Sequence, residues 1–415
     1  MGRTVLDDLA ETVDGHAREA RPDDAVAGVP ARWVAAPGST AEASALLRTA
    51  ARQGLTVVPR GRGTAIGWGA PPRAVDLVVS TERLDTLVEH VAGDLVCVVE
   101  AGATIDAVND QVAEHGQQLA MDQPVPGATL GGTVSTTRTG PRRLLYGAPR
   151  DQVLGVTMVR ADGTVATAGS KVVKNVAGYD LAKLLGGAYG TLGLLCSLVV
   201  RLYPQPRAHR WLRCSYADVS VAAAAARRLV GSQLAPTAVE IRREAGAGGA
   251  DVLVLVEGTE KGVEQRSAQA GDLLGSEVTP VDAQDGAALG ALHAGGDDTL
   301  VKVAVTIPGV EGVVRAAQDA EQRHGVACRV QGSAGAGVLH VVVAPGSPSE
   351  SVARTVDDLR RVAVGGSAVV LQAPPDVRRL VDIWGPVNGL ALMRRVKDEF
   401  DPDHRFAPGR FVGGI

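Results

Sequence analysis

Two glycine-rich loops hold most of the groups in this chain whose types and spacing could do chemistry. The first, PRGRGTAIGWG at residues 59–69, closes an apolar run and carries Arg60, Gly61, Arg62, Gly63, Thr64 and Gly67. Glycines leave backbone N–H groups approachable and arginines add positive charge, so the stretch suits an anion. No Gly-Lys-Ser/Thr follows, which excludes a Walker A phosphate loop. The dinucleotide fingerprint is only half met, because Ile66 stands where its third glycine belongs. Alone, the loop reads equally well as a surface turn. The second loop, PGATLGGTVSTTRTG at 126–140, offers Pro126, Gly127, Thr129, Gly131, Gly132, Ser135 and Gly140, with Arg138, Arg142 and Arg143 close by. Two loops rich in N–H donors and hydroxyls can clamp a pyrophosphate from two sides.

The elements that must position these loops are legible from periodicity. Ser39 and Glu42 have capping-box spacing, and Ala43, Leu46, Leu47 and Ala50 fall on one face of the helix that follows. Strands are predicted at 55–59, 76–80 and 95–100, a helix over 105–114, and a hairpin at Asp162-Gly163. After residue 207 the texture changes to strands paired with helices, twice over: helices at 218–230, 260–274, 311–324 and 350–362, with strands between them. That order suggests two ferredoxin-like halves. The chain closes with a helix over 387–400 and the tail FDPDHRFAPGRFVGGI.

Bulk properties set the class. At 415 residues the chain allows two or three domains, and 45% hydrophobic with 21% charged residues is normal for a globular protein. A net charge of −4 gives no footprint for nucleic acid or an anionic membrane. The longest apolar stretch, 184–200, is too short for a membrane span and is broken by Gly186, Gly187, Gly190 and Gly193, so it reads as a buried turn and strand. Cys97, Cys196, Cys214 and Cys328 lie far apart, which excludes a locally built zinc or iron–sulfur site. The acidic N-terminus has no signal-type core, and a cytoplasmic location is expected.

Four motifs in order, PRGRGTAIGWG, PGATLGGTVSTTRTG, YGAPRDQVLGVTMVRADG and VKNVAGYDLAKLLGGAYGTLG, resemble the FAD-binding domain of the vanillyl-alcohol oxidase/p-cresol methylhydroxylase superfamily. The C-terminal half, above all VKDEFDPDHRFAPGR, resembles the cap domain of FAD-linked oxidases acting on 2-hydroxy acids. Within that group KVVKNVAGYDL and GGAYGTLG are most similar to the E-type, FAD-binding subunits of glycolate oxidase. The resemblance implies an α+β fold with a two-subdomain PCMH-type FAD-binding domain over 28–205 and a ferredoxin-like α+β cap over 206–415. It implies that residues 60–64 and Gly67 wrap the FAD pyrophosphate and isoalloxazine side, and that the 126–140 loop holds the other face. Gly190 and Gly193 belong to the same expected cofactor set. Covalent members carry a histidine just after the Gly-x-Gly of the first loop; Thr64 stands there, so the resemblance implies dissociable FAD.

Oxidising a 2-hydroxy acid such as glycolate or D-lactate needs a base, a cation for the carboxylate, and a group that polarises the alcohol oxygen. Metal-dependent relatives supply ligands from Gly-His-x-Gly-Asp-Gly-Asn-Leu-His. The matching stretch, GSAGAGVLH at 332–340, keeps His340 but has Ser333, Ala336 and Val338 at ligand positions, so no metal is expected. His340 reads as a packed strand histidine, with acid–base work in a metal-free pocket as the alternative. Lys174 and Tyr179, whose motif the resemblance sets near the flavin, are the other catalytic candidates; a solvated lysine is the plain alternative for Lys174. With no cysteine cluster, electrons need partners, and the resemblance implies a sister FAD subunit and an iron–sulfur subunit. A stand-alone metal-independent FAD dehydrogenase, or a non-catalytic assembly subunit, are the competing readings.

Overall fold

The computed structural model of the chain describes residues 3–171, 181–275, 278–282, 292 and 294–415. The chain gathers into two compact units: Met1–Arg138 with Ala148–Gln205 and Val387–Ile415, and Thr139–Gly147 with Pro206–Pro386.

Among its described residues the first unit holds two larger sheets and a two-stranded ladder that pairs Tyr203–Pro204 with Gln117–Gln118. In one, Trp33–Ala35, Leu77–Ser80 and Val57–Arg60 run parallel, with Ala17–Glu19 added antiparallel at the edge. Parallel neighbours need a crossover, and the helix Thr40–Arg52 supplies it. The Ser39 hydroxyl accepts from the Glu42 N–H at 3.1 Å, and the Glu42 carboxylate accepts from the Gly38 N–H at 2.8 Å. The predicted face of Ala43, Leu46, Leu47 and Ala50 is fully buried. Each such leucine contributes about 1.5–3 kcal/mol. Leu9 and Val13, from an N-terminal segment whose helix Val5–Thr12 sequence reasoning left unassigned, join that core. The other sheet is antiparallel: Leu87–Val91, Val96–Glu100, Leu194–Arg201, Val153–Val159 and Val165–Gly169. The hairpin turns at Asp162-Gly163 as expected, with Gly163 at φ +82.

The second unit is one eight-stranded antiparallel sheet. Its order is Thr279–Val281, Ala208–Tyr216, Ala250–Gly258, Ala238–Arg243, Cys328–Ser333, Val338–Val343, Thr299–Ala304, Ser367–Gln372. Within each half the strands follow the order 4-1-3-2 of a ferredoxin-like βαββαβ unit, and the halves meet where Glu240 faces Ser333 and Arg242 faces Gln331. The two-halves expectation is therefore met.

The expected boundaries differ from the compact units in two places. Val387–Ile415 joins the first unit rather than the 206–415 cap, because its buried groups are satisfied there. Lys397 is fully buried, and its ammonium donates to Asp401 Oδ2 at 2.6 Å, Thr191 O at 2.7 Å and Phe406 O at 2.9 Å, using all three donors. Asp401 in turn accepts from the N–H groups of Arg405 and Phe406, and Phe406 bridges Val57 inside the core. Thr139–Gly147 belongs with the second unit. Part of the second loop is also a helix, Leu130–Thr136, capped by Thr129. Gly131 lets that helix lie against Ala101, whose Cβ would stand 2.8 Å from any Cβ added there.

Candidate functional site

An open cleft in the first unit is floored by the loop that follows strand Val57–Arg60. The strand ends at a Thr81 N–H to Arg60 O bond of 2.9 Å, and the chain then turns through Gly63 at φ +75. Gly61, Arg62, Gly63, Thr64 and Ala65 each keep a main-chain N–H for which the described residues supply no acceptor. Buried or half-buried N–H groups are almost always paired, so a run of open donors lining a cleft is a place for an anion. Gly61 fits there because a Cβ would strike the Thr129 side chain.

The second loop does something different from the expectation. The N–H groups of Leu130, Gly131 and Gly132 are taken by Ala103 O, Ala101 O and Thr129 Oγ1, so this side adds hydroxyls and close-packed backbone rather than open donors. Of the expected residues, Arg60 to Thr64, Thr129, Gly131, Gly132, Ser135 and Gly190 line the cleft. Gly67, Pro126, Gly127, Gly140 and Gly193 are not among its lining residues. Gly193 serves packing, since a Cβ would meet Val159 O at 2.8 Å. Gly140 lies in the segment that groups with the second unit.

Three of the lining residues left unassigned in the sequence, Arg138, Tyr189 and Arg410, carry the groups that matter most. Arg138, noted there only as a neighbouring charge, is 5% exposed, donates to Thr64 Oγ1 at 3.2 Å and stacks 4.6 Å from the Trp68 ring centre. Burial pulls its guanidinium down to about 10. Arg410, from the C-terminal tail, donates through Nη2 to Ile66 O at 2.7 Å and Trp68 O at 3.2 Å, bracing the first loop from below. Tyr189 sits at φ +54, a strained conformation for a bulky residue that costs on the order of 1–3 kcal/mol. Its N–H bond to Ser135 O at 2.9 Å and the Gly190 that follows hold it there. Burial raises its phenol to about 12 against the opposing pull of Arg410 and Arg138. The only sequence signals were a Tyr-Gly pair and a Pro-Gly-Arg near the C-terminus. At the cleft mouth, Arg60 is already paired with Asp24 at 2.8 Å. Asp24 is held well below the usual carboxylate range, first by Arg18 and then by the Arg21 N–H and Arg60.

Of the catalytic candidates, Lys174 and Tyr179 lie outside the described residues. His340 lies half-buried in the second unit, paired across the sheet with Lys302 on one side and Gln331 on the other. Burial first, then the charges of Lys302 and Arg143, push its imidazole down to about 3, so it stays neutral across the physiological range and is a weak base. Lys302 is itself pushed down to about 8 by burial and by Arg143. The structure thus gathers Arg143, Lys302 and His340 on one face of the sheet, a site rich in cationic charge that the sequence reading reached only through His340. Among the described residues no three His, Cys, Asp or Glu side chains lie together as a metal site, and no helix is long and apolar enough to cross a membrane.

Glycine-permitted open amides and a buried arginine lining one cleft define an anion-binding site of the kind that takes a phosphate-bearing ligand. Comparison with known proteins matches two segments of the chain. Residues 31–169 match the FAD binding domain, and residues 384–411 match the C-terminal domain of FAD linked oxidases. The D-lactate dehydrogenase of Archaeoglobus fulgidus is 37% identical over 42% of this chain and 39% of its own length. The glycolate oxidase subunit GlcD of Bacillus subtilis is 32% identical over 50% of this chain and 44% of its own length. The chain thus aligns with less than half the length of these two relatives. In fold it is similar to p-cresol methylhydroxylase, with a TM-score of 0.74 at 14% identity over 98% of this chain and 96% of that one. The chain thus carries an FAD binding domain and a segment similar to the C-terminal domain of FAD linked oxidases, and it shares the fold of p-cresol methylhydroxylase.

Proposed function

We propose that this chain is the FAD-binding subunit of an oxidase that converts a small 2-hydroxy acid, glycolate or D-lactate, to the 2-oxo acid. The observation that carries the reading is the run of open N–H groups from Gly61 to Ala65 on the floor of the cleft. A diphosphate satisfies such donors, and two glycines give it close approach. Bound there, FAD supplies the two-electron acceptor for a CH–OH group. With threonine at position 64, the cofactor is held without a covalent link.

The chain's own residues divide the remaining work. Arg143 and Lys302 hold a carboxylate, and a carboxylate arriving there offsets the burial and the Arg143 repulsion that now lower Lys302. His340, neutral beside them, offers a hydrogen bond to the substrate hydroxyl rather than taking its proton outright. Lys174 and Tyr179 remain the proposed groups for that proton. The four cysteines are buried singly, so electrons pass to partners: a sister FAD subunit and an iron–sulfur subunit, in the cytoplasm. The test is anaerobic addition of D-lactate and of glycolate to the purified chain, alone and with its partners. Bleaching of the flavin band by either acid supports the reading. A band unchanged in the assembled complex overturns it in favour of an assembly role.

A further inference from the structure

Arg138 is the feature of the cleft that the fold alone does not explain. It is 5% exposed, its Nε meets no acceptor, and among the described residues no carboxylate pairs with it. A guanidinium taken out of water without a counter-charge is costly, and one hydrogen bond to Thr64 and a stacked indole offset only part of that cost. The other arginines of the cleft are differently placed. Arg60 is neutralised by Asp24, Arg62 is exposed, and Arg410 Nη2 is occupied by main-chain carbonyls. Arg138 bonds to Thr64, a member of the open N–H run, so its charge lies beside those donors.

Building on the FAD reading, we propose that Arg138 is the counter-ion of the cofactor's diphosphate, the cation that completes the amide cradle. The diphosphate is the part of the cofactor charged in every redox state, and so the part that matches a permanently buried cation. Without ligand, Arg138 is a source of instability in the protein; with ligand, the same charge becomes attraction. This makes the residue a positioning group for the nucleotide end rather than a structural prop.

The experiment uses the full chain, stripped of flavin, as wild type, Arg138→Met and Arg138→Lys. Affinities for FAD and for ADP, which carries the diphosphate without the flavin ring, are measured by titration calorimetry, and the melting point of each flavin-free form is recorded. The expected result is a loss of about 10- to 100-fold in affinity for both ligands in Arg138→Met, partly restored by lysine. The flavin-free Arg138→Met protein is expected to melt at the same temperature as wild type or higher. Unchanged ADP affinity, or a flavin-free Arg138→Met that melts lower while binding FAD normally, overturns the assignment. A wild-type chain that binds ADP through Arg138 but takes up no FAD would sink the FAD reading and leave the counter-ion role intact.

Discussion

Replacing Lys302 by methionine tests the carboxylate site most sharply. The side chain is half-buried, faces His340 across the ladder, and feels Arg143, which together with burial lowers it from 10.5 to about 8. That drop is equivalent to about 3 kcal/mol against the charged form, reduced to about 1–2 kcal/mol once solvent screening at a half-buried site is allowed for. The sign follows from proton counting: between pH 8 and 10.5 the unfolded chain holds the Lys302 proton and the folded chain does not, so wild-type stability rises with pH through that window. At pH 7 Lys302→Met is therefore expected to be as stable as wild type or about 1–2 kcal/mol more stable, with the gap closing toward pH 10. Substrate binding moves the opposite way. Loss of a charge-assisted bond to the carboxylate weakens the 2-hydroxy acid by about 1.5–3 kcal/mol, roughly 10- to 150-fold. Wild-type affinity falls as pH rises past about 8, and the two proteins converge once Lys302 is neutral. The assay is the substrate dependence of anaerobic flavin reduction from pH 6.5 to 10, beside thermal melts. Equal substrate affinities at pH 7, or a ratio that does not change with pH, would refute the assignment of Lys302 to the carboxylate.

Two other substitutions test the cradle and its support. Gly63→Val places a branched residue at φ +75, where space is open but the backbone conformation is not, and flavin content after purification is expected to fall to near zero. Full flavin content in that variant would remove the first loop from the cofactor site. Asp401→Ala strands the Lys397 ammonium in the core and is expected to cost about 3–5 kcal/mol, seen as a lower melting point and weaker flavin retention, with Lys397→Met/Asp401→Leu recovering part of it. A melting point unmoved by Asp401→Ala would show that the C-terminal tail does not anchor the first unit.

Much of the fold was legible because local signals agreed with the global outcome. Ser39 capping, the buried stripe Ala43–Leu46–Leu47–Ala50, and the doubled strand–helix order after residue 207 each led to the observed element. What stayed hidden depended on contacts distant in sequence. Nothing local says that Phe406 bridges Val57, or that Lys397 buries its charge against Thr191, so the packing of the tail with the first compact unit was not legible. The site was half legible for a similar reason. Glycine spacing marked the first loop, but whether an amide is open or already bonded is decided by tertiary partners. Those partners, Ala101 and Ala103, close the second loop's donors. Arg410 and Arg138 became site residues only through the turn they brace and the cleft they line. Lys302 carries no motif at all; its significance comes from register, which sets it opposite His340.

Whether the cleft holds FAD, and holds it without a covalent bond, is read directly from the visible spectrum of the purified chain before and after acid precipitation. A flavin band near ~450 nm is expected to move wholly into the supernatant when the protein is precipitated. Colour that stays with the pellet would contradict the non-covalent assignment at Thr64, and a colourless chain that takes up no added FAD would contradict the cradle itself.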